Sequence, residues 1–131
     1  MNSIASKAGT GGRIIFISST IHYTGLPLQA HVSVAKAGID ALSTAIAIEL
    51  GPRGLTSNVI APGAIAETEG MARLMRKEHT AEVEKGIPSG RYGTVKDIAD
   101  ATVFLLSDAG SYVNGEILVG EFDPPHILSI A

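Results

Sequence analysis

Apolar and polar positions fall into blocks along this chain, and each block has its own period. Residues Arg13-Ile14-Ile15-Phe16-Ile17-Ser18 form a short, almost unbroken apolar run rich in β-branched side chains. Such a run predicts a central strand of a parallel sheet, covered on both faces. Ser19 to Pro27 is a polar loop, with Gly25 and Pro27 as breakers. From about Gln29 to Leu50 the pattern is helical, and its only charges are Lys36, Asp40 and Glu49. A helix apolar on nearly every side is expected to be buried on nearly every side. Within it Ser33, Ala37, Ala41 and Ala45 recur every fourth residue, a small-residue stripe that would let another helix approach closely. Gly51-Pro52 closes the block.

Thr56-Ser57-Asn58-Val59-Ile60 predicts a second strand, ending at Ala61-Pro62-Gly63. Residues 64–92 are mixed, with a short charged helix near Gly70–His79. Thr94 reads as a helix N-cap, and Asp97, three residues on, as a weaker form of the capping-box acid. The helix that follows runs to about Ser107, with Ile98, Ala101, Thr102 and Leu105 on one face. Asn114-Gly115 is a turn, and Glu116-Ile117-Leu118-Val119 is a third strand. Strands alternating with helices give an α/β fold with a parallel sheet. Residues 1–12 are expected to be a disordered lead-in, and 13–120 a single domain.

Composition narrows the function classes. A length of 131 residues suits one domain, and 45 % hydrophobic with 18 % charged residues is the balance of a soluble globular protein. A formal net charge of -3 gives no reason to expect nucleic acid or an anionic membrane as partner. With no cysteine, disulfides and thiolate zinc sites are excluded. No apolar run approaches membrane-spanning length. Met1 to Gly12 lacks the apolar core of a signal peptide, and Leu128-Ser129-Ile130-Ala131 is not a Ser-Lys-Leu type of address.

Five features occur in a telling order. They are Ile14-Ile15-Phe16-Ile17-Ser18-Ser19, the Lys36 helix, Asn58-Val59-Ile60-Ala61-Pro62-Gly63, Arg91-Tyr92-Gly93 leading to Asp97, and Tyr112-Val113-Asn114-Gly115 leading to the last strand. Over roughly residues 12–120 this order resembles the short-chain dehydrogenase/reductase family. The resemblance implies the C-terminal half of a Rossmann-type doubly wound parallel sheet, three strands with flanking helices. The glycine-rich phosphate loop belongs to the other half of that fold; no G-x-G-x-x-G follows a strand here, and Gly11-Gly12 precedes one.

Within the family the chain is most similar to the peroxisomal 2,4-dienoyl-CoA reductases. Ser18 to Gly25, His31 to Gly38 and Ala61 to Gly70 carry that likeness. Four residues before Lys36, where the family keeps a tyrosine, stands Val32. Carbonyl reduction needs a phenol on the substrate oxygen to deliver a proton. A dienoyl thioester is protonated on carbon, so a lysine, an acidic partner and a water can replace the phenol. An ordinary carbonyl reductase is disfavoured, because Val32 donates no proton. The chain departs from the pattern at Ser19, where dienoyl-CoA reductases often carry alanine. It departs again after Leu118, where Val119-Gly120-Glu121-Phe122-Asp123 leaves 121–131 as a divergent tail.

The resemblance implies NADPH as cofactor, a fatty acyl-CoA substrate, a place in β-oxidation, and the peroxisome, or otherwise the cytoplasm. It implies that Lys36 is catalytic, bonding the nicotinamide ribose and acidifying a water. Ser19 would bind the thioester oxygen. Pro62, Gly63 and Ile65 would line the nicotinamide, with Thr68 following, and Gly70 to Lys85 would form a substrate lid. Tyr23 is a candidate substitute acid, or simply a packed loop residue. His22 and His31 have no metal-ligand spacing and read as structural or exposed. The helix of the small stripe would make a homo-oligomer. The alternative is a non-catalytic fragment that keeps this dimerisation helix. The acidic partner of Lys36 would lie in the other half of the fold. These residues alone are therefore expected to bind NADPH weakly or not at all and to be inactive, and the Arg13–Ser18 strand to need cover from elsewhere.

Overall fold

The three apolar runs pair as parallel strands in the order β1-β2-β3, in a computed structural model that describes residues 11–74 and 80–121. Strand β1 spans Arg13–Ile17, β2 Thr56–Ala61 and β3 Ile117–Val119. The register sets Ile15 opposite Asn58, Ile17 opposite Ile60, and Val59 opposite Ile117. Gly12 already accepts from the Thr56 N–H at 3.0 Å, one residue ahead of β1. Between the strands lie α1 (Ile21–Thr24), α2 (Ala30–Leu50), α3 (Glu69–Leu74), α4 (Thr80–Gly86) and α5 (Val95–Leu106). The charged helix expected near Gly70–His79 corresponds to α3, and residues 75–79 lie outside the described residues. Most of the lead-in (1–10) and of the tail (122–131) also lies outside them. No described helix is long and apolar enough to cross a membrane.

The sheet is covered on two faces. Ser57 of β2 meets Ser43 of α2, hydroxyl to hydroxyl at 2.8 Å and fully buried. Ile15 and Ile17, on the opposite face of β1, look toward Ile98 and Thr102 of α5 across an open cavity. Among the described residues β2 is the middle strand, and β1, expected to be central with cover from elsewhere, has a strand on one side only. Ser57 through Ala61 are buried, whereas β1 is half-buried at the sheet edge and Ile17 is 44 % exposed. A run of hydrophobic residues specifies a strand that can be covered on both faces. It does not specify which neighbours the strand has.

The long helix is a correction. α2 buries only Asp40, Ser43 and Ala47. Val34 and Ile48 are 73 % and 72 % exposed. One face docks on the sheet, and the apolar residues on the other side are largely exposed. Ala37, Ala41 and Ala45 lie on this uncovered side.

Helix α5 begins as the sequence indicates, and more completely. Thr94 accepts from the Asp97 N–H through its hydroxyl at 3.2 Å, and Asp97 accepts from the Thr94 N–H at 2.8 Å. Both halves of a capping box are therefore present, a cap worth about 1 kcal/mol. The Arg91 guanidinium grips the same carboxylate at 2.8 and 3.2 Å. That pairing, followed by the Thr94 bonds, holds the Asp97 carboxyl well below the usual range. At the other end, Arg13 donates to the Leu106 carbonyl at 2.7 Å, to that of Ser107, and to Asp108. A cation over the last carbonyls complements the helix dipole and ties β1 to α5.

Two asparagines fix the entry to β3. Asn58, fully buried, donates to the Val113 carbonyl at 2.9 Å and accepts from the Glu116 N–H at 3.0 Å. Asn114 accepts from the Ser57 N–H at 2.9 Å and donates to the Ala47 carbonyl at 3.3 Å. Gly115 follows with φ of 78°, a left-handed turn that glycine adopts without strain.

Candidate functional site at the carboxyl ends of the strands

In an open parallel α/β sheet, ligands lie beyond the carboxyl ends of the strands. Here the ends of β1 and β2 are tied together there, Ser18 N–H to Ile60 carbonyl at 2.8 Å and Thr20 N–H to Pro62 carbonyl at 3.0 Å. Beside them opens a cavity of ≈ 950 Å³. Its wall carries Ser19, Lys36, Pro62, Gly63, Ile65 and Thr68, the residues the resemblance implied for substrate and cofactor. Four separate segments converge to place them.

Lys36 reaches from the first half of α2 and donates to the Ile17 carbonyl at 2.9 Å, where β1 ends. The Ser18 hydroxyl donates back to the Lys36 carbonyl at 3.3 Å. The Ser19 hydroxyl accepts from the Ile21 N–H at 3.3 Å, which leaves its proton free to donate. Past β2, the chain bridges to Gly93: the Gly93 N–H donates to the Ala64 carbonyl, and the Ala66 N–H to the Gly93 carbonyl. The alternation of this parallel bridge turns the Ile65 N–H away from Gly93, and it has no partner among the described residues. A Cβ on Gly93 would come within 2.5 Å of Ile65 Cδ1, so a larger residue there would push the end of that side chain aside. Thr68 donates to the Ile65 carbonyl at 3.1 Å and accepts from the Met71 N–H at 3.2 Å, ending the loop and starting α3. Glu67, just before it, sits in the left-handed region at φ 58°, a conformation that costs about 1 kcal/mol for a residue with a Cβ.

Val32 does not line the cavity. Tyr23 does not line it either: its hydroxyl donates to Asp40 at 2.5 Å. His22 Nε2 shares the same Asp40 oxygen at 2.7 Å. The sequence reading missed Asp40. Its position four residues after Lys36, on the same helix face, was the available signal. The α5 wall, Val95, Ile98 and Thr102 among others, was missed as well, since only packing brings it to the cavity. Among the described residues no group of three or more His, Asp or Glu side chains could hold a metal.

Burial of the Tyr23 phenol, then its hydrogen bond to Asp40 and that carboxylate's charge, push its pKa from 10.0 up to about 12. The folded state therefore holds this proton more tightly than the unfolded chain. The resulting stabilisation is complete below pH 10.0 and disappears as pH rises to about 12. Because the residue is 43 % exposed, solvent screens the effect. Subtracting the alkaline tyrosinate titration of Tyr23→Phe from that of the parent isolates this phenol. A midpoint near 10.0 would contradict the assignment.

A family model described as enoyl-(acyl carrier protein) reductase matches residues 1–121. A solved short-chain dehydrogenase/reductase from Brucella melitensis superposes with a TM-score of 0.76 at 30 % identity, over 88 % of this chain and 44 % of that one. The chain belongs to the short-chain dehydrogenase/reductase family. Among curated relatives, the peroxisomal 2,4-dienoyl-CoA reductase of Saccharomyces cerevisiae is 53 % identical over 108 residues, 82 % of this chain and 37 % of the relative. The 3-oxoacyl-[acyl-carrier-protein] reductase of Haemophilus influenzae is 43 % identical over 107 residues, 82 % of this chain and 43 % of the relative. The chain thus spans about two-fifths of the length of these relatives.

Short-chain dehydrogenase/reductases use nicotinamide cofactors. The residues present suit the nicotinamide end of such a group: Lys36 with its ammonium, Ser19 with its hydroxyl, and Ile65 with an N–H unpartnered among the described residues all line the cavity. No G-x-G-x-x-G motif follows a strand in these 131 residues, so the pyrophosphate-binding loop of that fold is not among them.

Proposed function

We propose that this chain supplies the lysine-bearing half of an NADPH-dependent reductase that converts 2,4-dienoyl-CoA to 3-enoyl-CoA in peroxisomal fatty-acid β-oxidation. One observation carries the reading. Lys36 lines the cavity beside Ser19, while Val32, in the position of the family's tyrosine, neither lines it nor can donate a proton. The site is thereby equipped for a substrate protonated on carbon rather than on a carbonyl oxygen.

When bound, the reduced nicotinamide supplies the two electrons. Lys36 would hold its ribose and orient a water through the ammonium donors that the Ile17 carbonyl leaves free. The Ser19 hydroxyl would donate to the thioester oxygen as negative charge grows there. Pro62, Gly63 and Ile65 would frame the ring through main-chain groups, and Thr68 would hold that loop closed on the site. The apolar α5 side of the cavity suits an acyl chain, and α3, whose Gly70 and Met71 line the cavity, would belong to a lid over it.

A second reading is a non-catalytic interaction module. It draws on the uncovered face of α2, with Val34 and Ile48 exposed, which would also serve a homo-oligomer. A chimera separates the two. In it, the matching segment of this chain replaces the corresponding 108 residues of the S. cerevisiae relative. The chimera is expected to consume NADPH with a 2,4-dienoyl-CoA and not with a 3-oxoacyl thioester. A folded chimera that is inactive, or that prefers the 3-oxoacyl substrate, would overturn the proposal. The 131-residue chain alone is expected to bind NADPH only weakly.

A further inference from the structure

Three acid–base side chains outside the cavity form a node that the proposed chemistry does not use. Asp40 is 7 % exposed. One of its oxygens, Oδ2, accepts from both His22 Nε2 at 2.7 Å and the Tyr23 hydroxyl at 2.5 Å. The two rings lie against each other, centroids 3.9 Å apart. His22 Nδ1 and Asp40 Oδ1 are buried and find no hydrogen-bond partner among the described residues. A buried carboxylate is costly unless its bonds are well made, so a carboxylate in this place needs a role that a methyl group could not fill.

Its position supplies one. Lys36 and Asp40 stand one turn apart on α2, and they grip the chain on either side of Ser18-Ser19. Before the serines, Lys36 holds the Ile17 carbonyl. After them, Asp40 holds His22 and Tyr23 of α1. Helix α1 has only four residues and no side-chain cap, so it does not hold itself in place. Its other anchors are the Thr20 N–H bond to Pro62 and the buried Ile21 side chain. The Ser19 hydroxyl, in turn, is oriented by the Ile21 N–H, the first residue of α1. Any displacement of α1 from α2 therefore moves the group that sets the Ser19 hydroxyl.

We infer that Asp40 is a positioning residue: through His22 and Tyr23 it fixes α1 on α2 and so holds the Ser19 hydroxyl in register with Lys36. The inference rests on the reductase reading for the role of Ser19 and Lys36. The bracket itself rests on the geometry alone. Neither Asp40, His22 nor Tyr23 touches the cavity, so their effect on a reaction there passes through Ser19.

Two measurements test it. The first is amide hydrogen exchange on the 131-residue chain. Asp40→Asn keeps the shape and removes the charge. It is expected to speed exchange in the Ser19–Gly25 segment on the order of 10-fold or more, while Val59–Ala61 is unchanged. Tyr23→Phe, which removes one bond and keeps the ring, should give a smaller rise in the same segment. It serves as the test if Asp40→Asn fails to fold. Unchanged exchange in that segment overturns the bracket. The second measurement is steady-state kinetics of the chimera. Asp40→Asn is expected to lower kcat about 10-fold or more with KM for NADPH within about twofold, since only the substrate-side serine is displaced. Faster exchange with kcat intact would make Asp40 merely structural and overturn the positioning role. An inactive parent chimera removes the reductase reading instead, and the exchange comparison still decides the bracket.

Discussion

Asn58→Ala is expected to lower the unfolding midpoint of this chain on the order of 10 °C. Asn58 has no solvent exposure, and both ends of its amide are used. Truncation leaves the Val113 carbonyl and the Glu116 N–H without the partner that satisfies them. An abandoned polar group of this kind costs about 1–3 kcal/mol. Two of them, with the space left by the side chain, approach the lower end of the 5–15 kcal/mol that a domain has in total. Asn58→Asp is no rescue. It keeps an acceptor for Glu116, loses the donor to Val113, and brings a charge into the most buried strand. Thermal unfolding followed by circular dichroism checks the expectation. A change below about 2 °C would mean that the loop into β3 finds other partners.

Lys36→Met in the chimera is expected to reduce kcat/KM for the dienoyl-CoA by about 10²–10³-fold. Methionine keeps the unbranched stem and removes the charge and all three donors. Unfolding should barely change, because the bond lost, to the Ile17 carbonyl, is solvent-exposed. Lys36→Arg is expected to restore little. A planar guanidinium cannot occupy the compact position at the end of β1 and still turn its remaining donors inward. Kinetics beside a melting curve separate loss of chemistry from loss of fold. Activity retained within about threefold would remove Lys36 from the mechanism.

Much of this was legible in the residues themselves. β-Branched runs specify strands, and the Thr94–Asp97 spacing specifies a helix start, because both are set by local geometry. The family resemblance pointed to Ser19, Lys36, Pro62, Gly63, Ile65 and Thr68, and all six line one cavity: Ser19 and Pro62 to Thr68 follow strand ends, which a parallel sheet gathers on one side, and Lys36 reaches them from α2. What escaped depends on neighbours far along the chain. Whether β1 is central or at the edge is decided by which strands lie beside it, not by its own side chains. Helix α2 carries apolar residues all around, yet the sheet covers only the Asp40–Ser43–Ala47 face. The Asp40 node needs α1 folded back on α2, and nothing in the spacing of His22, Tyr23 and Asp40 announces that approach. The α5 wall is likewise the product of packing across the sheet.

The side chain of Arg13 reaches three successive residues, Leu106, Ser107 and Asp108, more than ninety positions further along. Asn58 closes on Val113 and Glu116 across almost sixty. Such contacts cannot form until Asp108 and Glu116 have been synthesised. A nascent chain leaving the ribosome would carry β1 and β2 as sticky, incompletely covered segments while α5 and β3 were still being made. Folding of this topology is therefore expected to be comparatively slow, with β1 and β2 open to aggregation while α5 and β3 are being made.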